Sequence, residues 1–379
     1  MSETRWDVWQ ILDVGSIWMR EFGSALSRQV PTVAWAPEIS RFGMLRDWER
    51  MVEIEEPALT VRQFPLQRGY AREVLRRVVR FEDRILRRLE AASEGRSERS
   101  PLICSTPFYA PVAERWAGPV VYYATDLTAE YEGIDGGQVR ELDRRMCQVA
   151  RAVCPNSNRI AEYFVREAGC AREKITVIPN ATRESNVAGA PLLDPGPLPK
   201  DMQDIARPIA GVIGDLSGNM DWSVIAGAME GTPELNWIFV GPTTRTIVDR
   251  EQSSGRERVM RGRARFVGPK LYGELQAYAR SFDVAVLPYR KKEPTYSGSS
   301  TRFYEHLTAC RPMVATRGFA ELLEKVPLLR LVDTGEEMAA ELQELAVTGF
   351  RDGLETARWE ASRSGTWEHR ARSLRATLV

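Results

Sequence analysis

Short apolar runs recur along the whole chain, and each is followed by a longer amphipathic stretch. This alternation is typical of parallel β-strands joined by crossover helices, so the sequence predicts an α/β fold. In the first half of the chain, strands are predicted at residues 8–14, 32–36, 102–105, 120–124, 152–155 and 175–178.

A proline-rich segment interrupts this pattern. Residues 188–207 contain four prolines, which favour an extended connector over regular pairing. A second series of strands is predicted beyond it, at residues 209–213, 236–240, 264–267, 284–288, 313–316 and 329–332. Because 379 residues suit two domains, we predict an N-terminal domain over residues 1–190 and a C-terminal domain over residues 205–355.

Charge and cysteine content exclude several classes of protein. The formal net charge is zero, which gives no general attraction to nucleic acid. Five scattered cysteines without a Cys-x-x-Cys pair argue against a disulfide framework or a zinc site. The first residues lack the pattern of a signal peptide, and no apolar run is long enough for a spanning helix. The sequence therefore predicts a cytoplasmic protein.

Residues 73–89 have the spacing of an amphipathic helix with arginines on its polar face. Two interpretations stay open. The helix packs on a core with a solvated basic face, or it contacts anionic lipid headgroups or a lipid-diphosphate acceptor.

The strongest local motif lies at residues 296–316. A turn rich in glycine and hydroxyl groups, including Ser299 and Ser300, leads into a helix that is predicted to begin near Thr301. Free N–H groups at such a helix start suit a diphosphate, and Arg302 adds a positive charge. Glu305 lies on the same helix face, where it either accepts hydrogen bonds from a ribose diol or forms an ion pair with Arg302.

Residues 300–316, STRFYEHLTACRPMVAT, resemble the pattern Pro-x-Lys-x-Tyr-Glu-Tyr-Leu-Ala-x-Gly-Lys-Pro-Val-Val-x-Thr of bacterial GT-B glycosyltransferases. Those enzymes act in exopolysaccharide and teichuronic acid pathways. The resemblance covers about residues 120–370 and implies two Rossmann-like domains with a deep interdomain cleft. It also implies transfer of a sugar from a UDP- or GDP-sugar to a glycan, lipid-linked or small-molecule acceptor. Arg302 would contact the donor phosphates, and Glu305 the donor ribose.

Other blocks keep the order of the GT-B pattern. Residues 211–222 and 237–242 resemble its glycine turns, and residues 282–289 resemble the strand that precedes its donor loop. The resemblance therefore assigns Gly214, Gly241 and Tyr289 to the donor site. Residues 366–378 resemble the terminal helix that crosses back to the N-terminal domain, so residues 356–379 are predicted to do so.

The first glycine turn departs from the pattern. Asp215 and Asn219 lie where many relatives have an arginine and a lysine that bind the pyrophosphate. The positive charge must then come from other residues. Arg302 is the main candidate, and the auxiliary candidates are Arg245, Arg290, Lys291 and Lys292.

Asp126 follows the predicted strand at residues 120–124, at the carboxyl end where open α/β sheets place reactive groups. This block resembles the strand-end aspartate of related transferases, including the glucuronosyltransferase of xanthan assembly, where it is the general base. The alternative is an N-cap for a helix that begins at Leu127. Equivalent loops after other strands contain further candidates for acceptor binding, namely Gly15, Ser16, Phe108 and Tyr109.

No Asp-x-Asp pair occurs in the sequence. We therefore expect sugar transfer without a metal ion or other cofactor, with arginine and a helix dipole in the place of the cation. Two other functions stay open. The altered glycine turn is compatible with a non-catalytic or partner-dependent homologue, and a nucleotide-sugar 2-epimerase shares the fold.

Overall fold

The computed structural model describes residues 6–40, 53–56, 59–70, 80–243 and 247–378. The chain divides into two compact units. Unit 1 comprises Met1–Pro179 together with Trp367–Val379, and unit 2 comprises Asn180–Thr366. Each unit contains a mainly parallel sheet with helices between its strands, which confirms the predicted fold class of two Rossmann-like domains.

The sheet of unit 1 has the strand order β3-β4-β2-β1-β5-β6-β7 over the described residues. All neighbouring pairs are parallel except β3 and β4, which are antiparallel. The strands are β1 (Trp9–Leu12), β2 (Thr32–Ser40), β3 (Glu53–Glu56), β4 (Leu59–Gln67), β5 (Leu102–Cys104), β6 (Val120–Tyr122) and β7 (Ala152–Val153).

For the first half of the chain, one predicted strand is wrong and two observed strands were not predicted. Residues 175–178 are not a strand of the sheet: Ile175 forms an isolated bridge to Val153 in β7, and the N–H groups of Thr176 and Ile178 donate to Val153 O and Pro155 O. The sequence also failed to predict β3 and β4. In β4 the polar residues Arg62 and Gln63 interrupt the apolar run, although alternate positions such as Leu59 and Val61 are buried.

The helices of unit 1 bury one face against this sheet. Within the described residues they are α1 (Ile17–Ser27), α2 (Phe81–Ala92), α3 (Ala110–Ala113), α4 (Gly136–Val149), α5 (Asn158–Arg166) and the terminal helix, α12 (Trp367–Ala376). The predicted helix at residues 73–89 overlaps α2, and residues 73–79 lie outside the described residues. In α2, Ile85, Leu86 and Leu89 are buried in the core of unit 1.

Unit 2 contains a six-stranded parallel sheet with the order β10-β9-β8-β11-β12-β13. Every predicted strand of the second half lies within one residue of an observed one. The central strands of this sheet are mainly apolar, as expected of buried parallel strands. The strands are β8 (Ile209–Ile213), β9 (Asn236–Val240), β10 (Ala264–Gly268), β11 (Val284–Leu287), β12 (Met313–Thr316) and β13 (Arg330–Val332).

The helices of unit 2 connect these strands and follow the last one. They are α6 (Trp222–Gly231), α7 (Arg250–Arg261), α8 (Leu275–Ser281), α9 (Thr301–Leu307), α10 (Gly335–Val347) and α11 (Glu355–Ser364).

The proline-rich segment belongs to unit 2 and does not mark its boundary. Its backbone accepts hydrogen bonds from side chains of this unit: Arg311 donates to Leu193 O, and Trp359 donates to Ala188 O at 2.7 Å.

Residues 356–379, predicted to cross back to the N-terminal domain, divide between the two units. Helix α11 belongs to unit 2, whereas α12 packs in unit 1, where Trp367 is buried and Glu368 pairs with Arg28 at 2.6 Å.

Candidate functional site

Two predicted donor glycines, Gly214 and Gly241, lie at the carboxyl ends of the neighbouring strands β8 and β9. The Gly214 N–H donates to Val240 O at 3.0 Å. A Cβ atom on Gly241 would lie 1.8 Å from Gly214 O, and the φ angle of Gly241 is +146°. Only glycine fits this position, and the two strand ends therefore pack backbone against backbone.

Tyr289, after β11, lies near both the Gly214 turn and the charged side chains of helix α9. Its hydroxyl oxygen lies 3.4 Å from the position that a Cβ of Gly214 would take. Burial raises the pKa of Tyr289 to about 12, and the nearby charges of Arg302, Glu305 and Asp215 act on it. The structure thus brings Gly214, Tyr289, Arg302 and Glu305 close together in unit 2.

The start of α9 is buried. Ser299 is 6% and Ser300 is 1% exposed. The Ser300 hydroxyl caps the helix by accepting a hydrogen bond from Phe303 N, and the Ser300 N–H donates to Glu321 Oε2 at 2.8 Å. Ser299 is held by Asn180, whose N–H donates to Ser299 Oγ at 3.0 Å.

Glu321 was not predicted from the sequence. Its carboxylate accepts a second hydrogen bond, at 2.5 Å, from the Tyr304 hydroxyl. An acidic group therefore already occupies part of the predicted phosphate site. Helical geometry leaves the next N–H groups, those of Thr301 and Arg302, without an intrahelical acceptor.

Arg302 and Glu305 form an ion pair within α9. The Arg302 side chain is 22% exposed and that of Glu305 is 5% exposed. In this structure Glu305 therefore forms the ion pair with Arg302 that was predicted as the alternative to ribose binding. Because one guanidinium has five N–H donors and the pair uses the Nη1 group, Arg302 keeps donors for a further anion.

The auxiliary cations follow β11 in the same unit. Arg290 donates its N–H to Asn219 O at 2.9 Å, which places it beside the first glycine turn, and its guanidinium pairs with Asp249 at 2.8 Å. The Lys291 ammonium lies 5.1 Å from the ring centre of Tyr296. Arg245 lies outside the described residues.

Unit 1 contains an open cavity of about 140 Å³ at the carboxyl ends of its central strands. Asp126 lies in its wall, after β6, and burial raises the pKa of this carboxyl group to about 7. The hydroxyl groups of Thr125 and Tyr131 donate to it. The capping alternative does not hold, because the turn Thr128–Glu130 has Leu127 at its N-cap position and no side-chain cap.

A second carboxyl group, that of Asp13, lines the same cavity. Asp13 has a φ angle of +76°, which is uncommon for a residue other than glycine. Its Oδ1 accepts from Gly15 N at 3.0 Å, and its Oδ2 accepts from the Tyr109 hydroxyl at 3.3 Å. The sequence prediction overlooked Asp13 because it extended the strand to residue 14, whereas β1 ends at Leu12.

The predicted acceptor residues have different positions. Ser16 lines the cavity and caps α1 by accepting a hydrogen bond from Met19 N at 3.4 Å. Tyr109 is buried and donates a hydrogen bond to Asp13, which lines the cavity. Gly15 is exposed, and Phe108 packs against the core of unit 1 without lining the cavity.

Within the described residues, no group of three or more His, Cys, Asp or Glu side chains is arranged to hold a metal ion. None of the described helices has the length and apolar character needed to cross a bilayer.

Comparisons with known proteins identify the fold. Residues 19–181 match the family model of the glycosyl transferase 4-like domain. No curated protein sequence has significant similarity to the chain. Solved structures that resemble it include Anabaena HepE in complex with UDP and glucose, with 15% identity, a TM-score of 0.69 and 99% of each chain covered.

Two further structures are similar over nearly the same length. Sucrose-phosphate synthase from Thermosynechococcus elongatus has 14% identity and a TM-score of 0.72, with 98% of each chain covered. An α,α-trehalose-phosphate synthase (UDP-forming) from Burkholderia vietnamiensis has 13% identity and a TM-score of 0.69, with 98% of this chain and 96% of the other covered. The family match over residues 19–181 and the structural likeness over the whole chain identify the fold as that of the GT-B glycosyltransferases.

Proposed function

We propose that this chain transfers a sugar from a nucleotide-diphosphate donor of the UDP or GDP type to a hydroxyl group of an acceptor. The observation that carries the proposal is the convergence of Gly214, Tyr289, Arg302 and Glu305 in unit 2. Structures of HepE with UDP and with UDP-glucose support this class of donor.

In the proposed donor complex, the diphosphate binds at the Arg302 guanidinium and at the N–H groups of Thr301 and Arg302. The turns at Gly214 and Gly241 lie at the carboxyl ends of β8 and β9, the edge of the sheet at which the nucleotide is proposed to bind. Arg302 then stabilises the negative charge that develops on the leaving diphosphate. Glu305 accepts hydrogen bonds from the ribose diol, an interaction that competes with its ion pair to Arg302.

In unit 1, Asp126 acts as the general base that takes the proton of the acceptor hydroxyl. A base is most effective when its pKa lies near the working pH, and burial raises the pKa of Asp126 to about 7. Its position in the wall of a cavity allows a hydroxyl group to approach it.

We also propose that transfer needs no divalent cation. Arg302 and the start of α9 supply positive charge in unit 2, and the sequence contains no Asp-x-Asp motif. Activity that is unchanged after treatment with EDTA supports this proposal. Loss of activity that added Mg²⁺ or Mn²⁺ restores would refute it.

The acceptor is proposed to be a glycan or lipid-linked saccharide of a polysaccharide pathway, used at the inner membrane face. The resemblance to exopolysaccharide transferases and the arginines of α2, such as Arg84, Arg87 and Arg88, support this. Sedimentation with vesicles of phosphatidylglycerol, but not with vesicles of phosphatidylcholine, is the expected result. Equal binding to both, or to neither, would contradict it.

A non-catalytic homologue is the second candidate, and the contact between Glu321 and Ser300 N favours it because the carboxylate covers part of the predicted anion site. Saturation-transfer NMR with UDP, GDP and ADP separates the two. Binding of UDP or GDP, followed by acceptor-dependent release of the diphosphate, supports the transferase. Absence of nucleotide binding supports the non-catalytic homologue, and sugar rearrangement without an acceptor would indicate an epimerase.

A further inference from the structure

The cavity of unit 1 is large enough for more than a water molecule or an ion. Its volume is about 140 Å³, whereas a single water needs about 10–15 Å³ by this kind of measure. Its wall carries the carboxyl groups of Asp13 and Asp126, hydroxyl groups that include those of Ser16 and Thr106, and the side chain of Trp18.

Among the described residues that line this wall, none is a lysine or an arginine. A phosphate or carboxylate group would therefore enter beside two carboxyl groups without a cation to balance its charge, which is unfavourable. Hydroxyl groups, in contrast, donate hydrogen bonds to carboxylate oxygens. The Trp18 ring offers an apolar surface for the C–H face of a sugar. The chemistry of this cavity favours a neutral polyol.

The backbone of Asp13 is in the left-handed region, and its carboxylate accepts two hydrogen bonds. Its φ angle is +76°, and such angles persist only where the surrounding structure fixes them, often at functional sites. Gly15 N donates to Oδ1 and the Tyr109 hydroxyl donates to Oδ2. Since each carboxylate oxygen has two lone pairs, each retains one for a ligand.

We propose that Asp13 is an acceptor-binding residue and that the cavity takes a neutral sugar ring through two neighbouring hydroxyl groups. This inference rests on the proposed function of the chain. One hydroxyl donates to Asp126, and the next hydroxyl on the ring donates to Asp13. Asp13 thereby determines which hydroxyl of the acceptor reacts.

The Asp126 carboxylate takes the proton of the first hydroxyl, and the oxygen of that hydroxyl forms a bond to the anomeric carbon of the donor sugar. The bond between that carbon and the diphosphate oxygen breaks, and the diphosphate leaves with the electron pair. Asp13 takes no part in the proton transfer and acts only by binding the second hydroxyl. If the acceptor is lipid-linked, its sugar ring enters the cavity and its phosphates stay outside.

The test uses Asp13→Asn in the full-length chain. Asparagine tolerates positive φ angles and still accepts the bond from Gly15 N, so the fold is retained. Asp143→Asn is the matched control. Like Asp13, Asp143 lies in unit 1 and accepts a hydrogen bond from a tyrosine hydroxyl, here that of Tyr122 at 2.8 Å, but it does not line the cavity.

The assay measures release of nucleoside diphosphate with methyl glucosides, galactosides and mannosides as acceptors, each compared with its 6-phosphate. The neutral glycosides are expected to react better than the phosphates. Asp13→Asn should raise the KM for the acceptor about tenfold or more, the worth of a hydrogen bond to a charged group. The KM for the donor should be unchanged, and Asp143→Asn should match the wild type.

Monodeoxy acceptors make the test specific. Removal of the hydroxyl next to the reacting one should weaken the wild type as much as Asp13→Asn does, and should not weaken that variant further. A preference for the phosphate esters, an acceptor KM of Asp13→Asn within about twofold of the wild type, or independent effects of the variant and the deoxy acceptor would overturn the inference.

Failure of the proposed function has a different result, namely no diphosphate release from any donor with any acceptor. Binding of methyl glucoside, followed by saturation-transfer NMR, then decides the inference separately. Binding by the wild type that Asp13→Asn abolishes supports a neutral-sugar site. Absence of binding by the wild type, or equal binding by the variant, refutes it.

Discussion

The carboxylate of Glu321 accepts a hydrogen bond from the backbone N–H of Ser300 at 2.8 Å, at the start of helix α9. The Lys325 ammonium lies 3.6 Å from the same carboxylate. Glu321 therefore places a negative charge where the sequence predicts the donor diphosphate. If the diphosphate binds at Thr301 and Arg302, it binds against the repulsion of this carboxylate.

Glu321→Gln should strengthen UDP binding, because the amide oxygen still accepts from Ser300 N–H while the charge is removed. The expected change in Kd is about threefold to tenfold at low ionic strength. Isothermal titration with UDP measures it, and Glu324→Gln, an exposed residue of the same turn, is the control. An unchanged Kd would place the diphosphate away from the start of α9.

Arg302→Ala should weaken donor binding and lower turnover, together reducing kcat/KM about a hundredfold or more, because it removes the cation at the leaving diphosphate. The substitution also leaves the buried Glu305 carboxylate unpaired, which lowers stability. The double variant Arg302→Ala, Glu305→Gln removes that second effect. Arg258→Ala breaks an exposed ion pair to Glu230 and controls for loss of a surface arginine. Wild-type kinetics in the double variant would remove Arg302 from the site.

Asp126→Asn should leave donor affinity intact while turnover falls about a hundredfold, the usual worth of a positioned base. In the wild type, kcat/KM should rise with pH until the Asp126 carboxyl group is ionised, near its pKa of about 7. The variant should lack this rise. Full activity of Asp126→Asn at pH 8 would show that another group takes the proton.

The same carboxyl group should make stability depend on pH. Burial raises the pKa of Asp126 from 3.8 to about 7 and that of Asp143 from 3.8 to about 6. Between pH 3.8 and the raised pKa of each group, the folded state binds more protons than the unfolded state. The contribution of Asp126 to the free energy of unfolding therefore falls as pH rises from about 4 to about 7, and that of Asp143 falls as pH rises from about 4 to about 6. Denaturant unfolding at pH 5 and pH 8 should show a smaller difference for Asp126→Asn than for the wild type. Equal differences would contradict the shift.

The sequence predicted the central strands of unit 2, β8, β9, β11 and β12, closely because they are short, mainly apolar runs that are buried in the sheet. Strand β4 was missed for the opposite reason, since Arg62 and Gln63 interrupt its apolar residues. The contact between Arg302 and Glu305 was predictable because the two residues are three positions apart on one helix face.

The remaining site residues depend on contacts that sequence spacing does not reveal. Glu321 reaches Ser300 through the turn after β12, and this contact is set by the packing of that turn against α9. Asp13 is a strand-end residue because β1 ends at Leu12, two residues before the end that the sequence predicts. The wrong boundary in a single strand therefore concealed one of the two carboxyl groups of the cavity.

Gly241→Ala should destabilise unit 2, because the new methyl group would lie 1.8 Å from Gly214 O and force the ends of β8 and β9 apart. The expected loss in the free energy of unfolding is roughly 2–4 kcal/mol, as for other substitutions at strained glycines. Gly268→Ala is the matched control, since Gly268 also has a positive φ angle, of +75°, but open space around its Cβ position. It should cost only about 1 kcal/mol. Denaturant unfolding measures both, and a Gly241→Ala variant as stable as Gly268→Ala would show that the two strand ends separate without cost. UDP binding by a folded Gly241→Ala variant should also weaken, because the displaced turn carries Gly214 away from Tyr289.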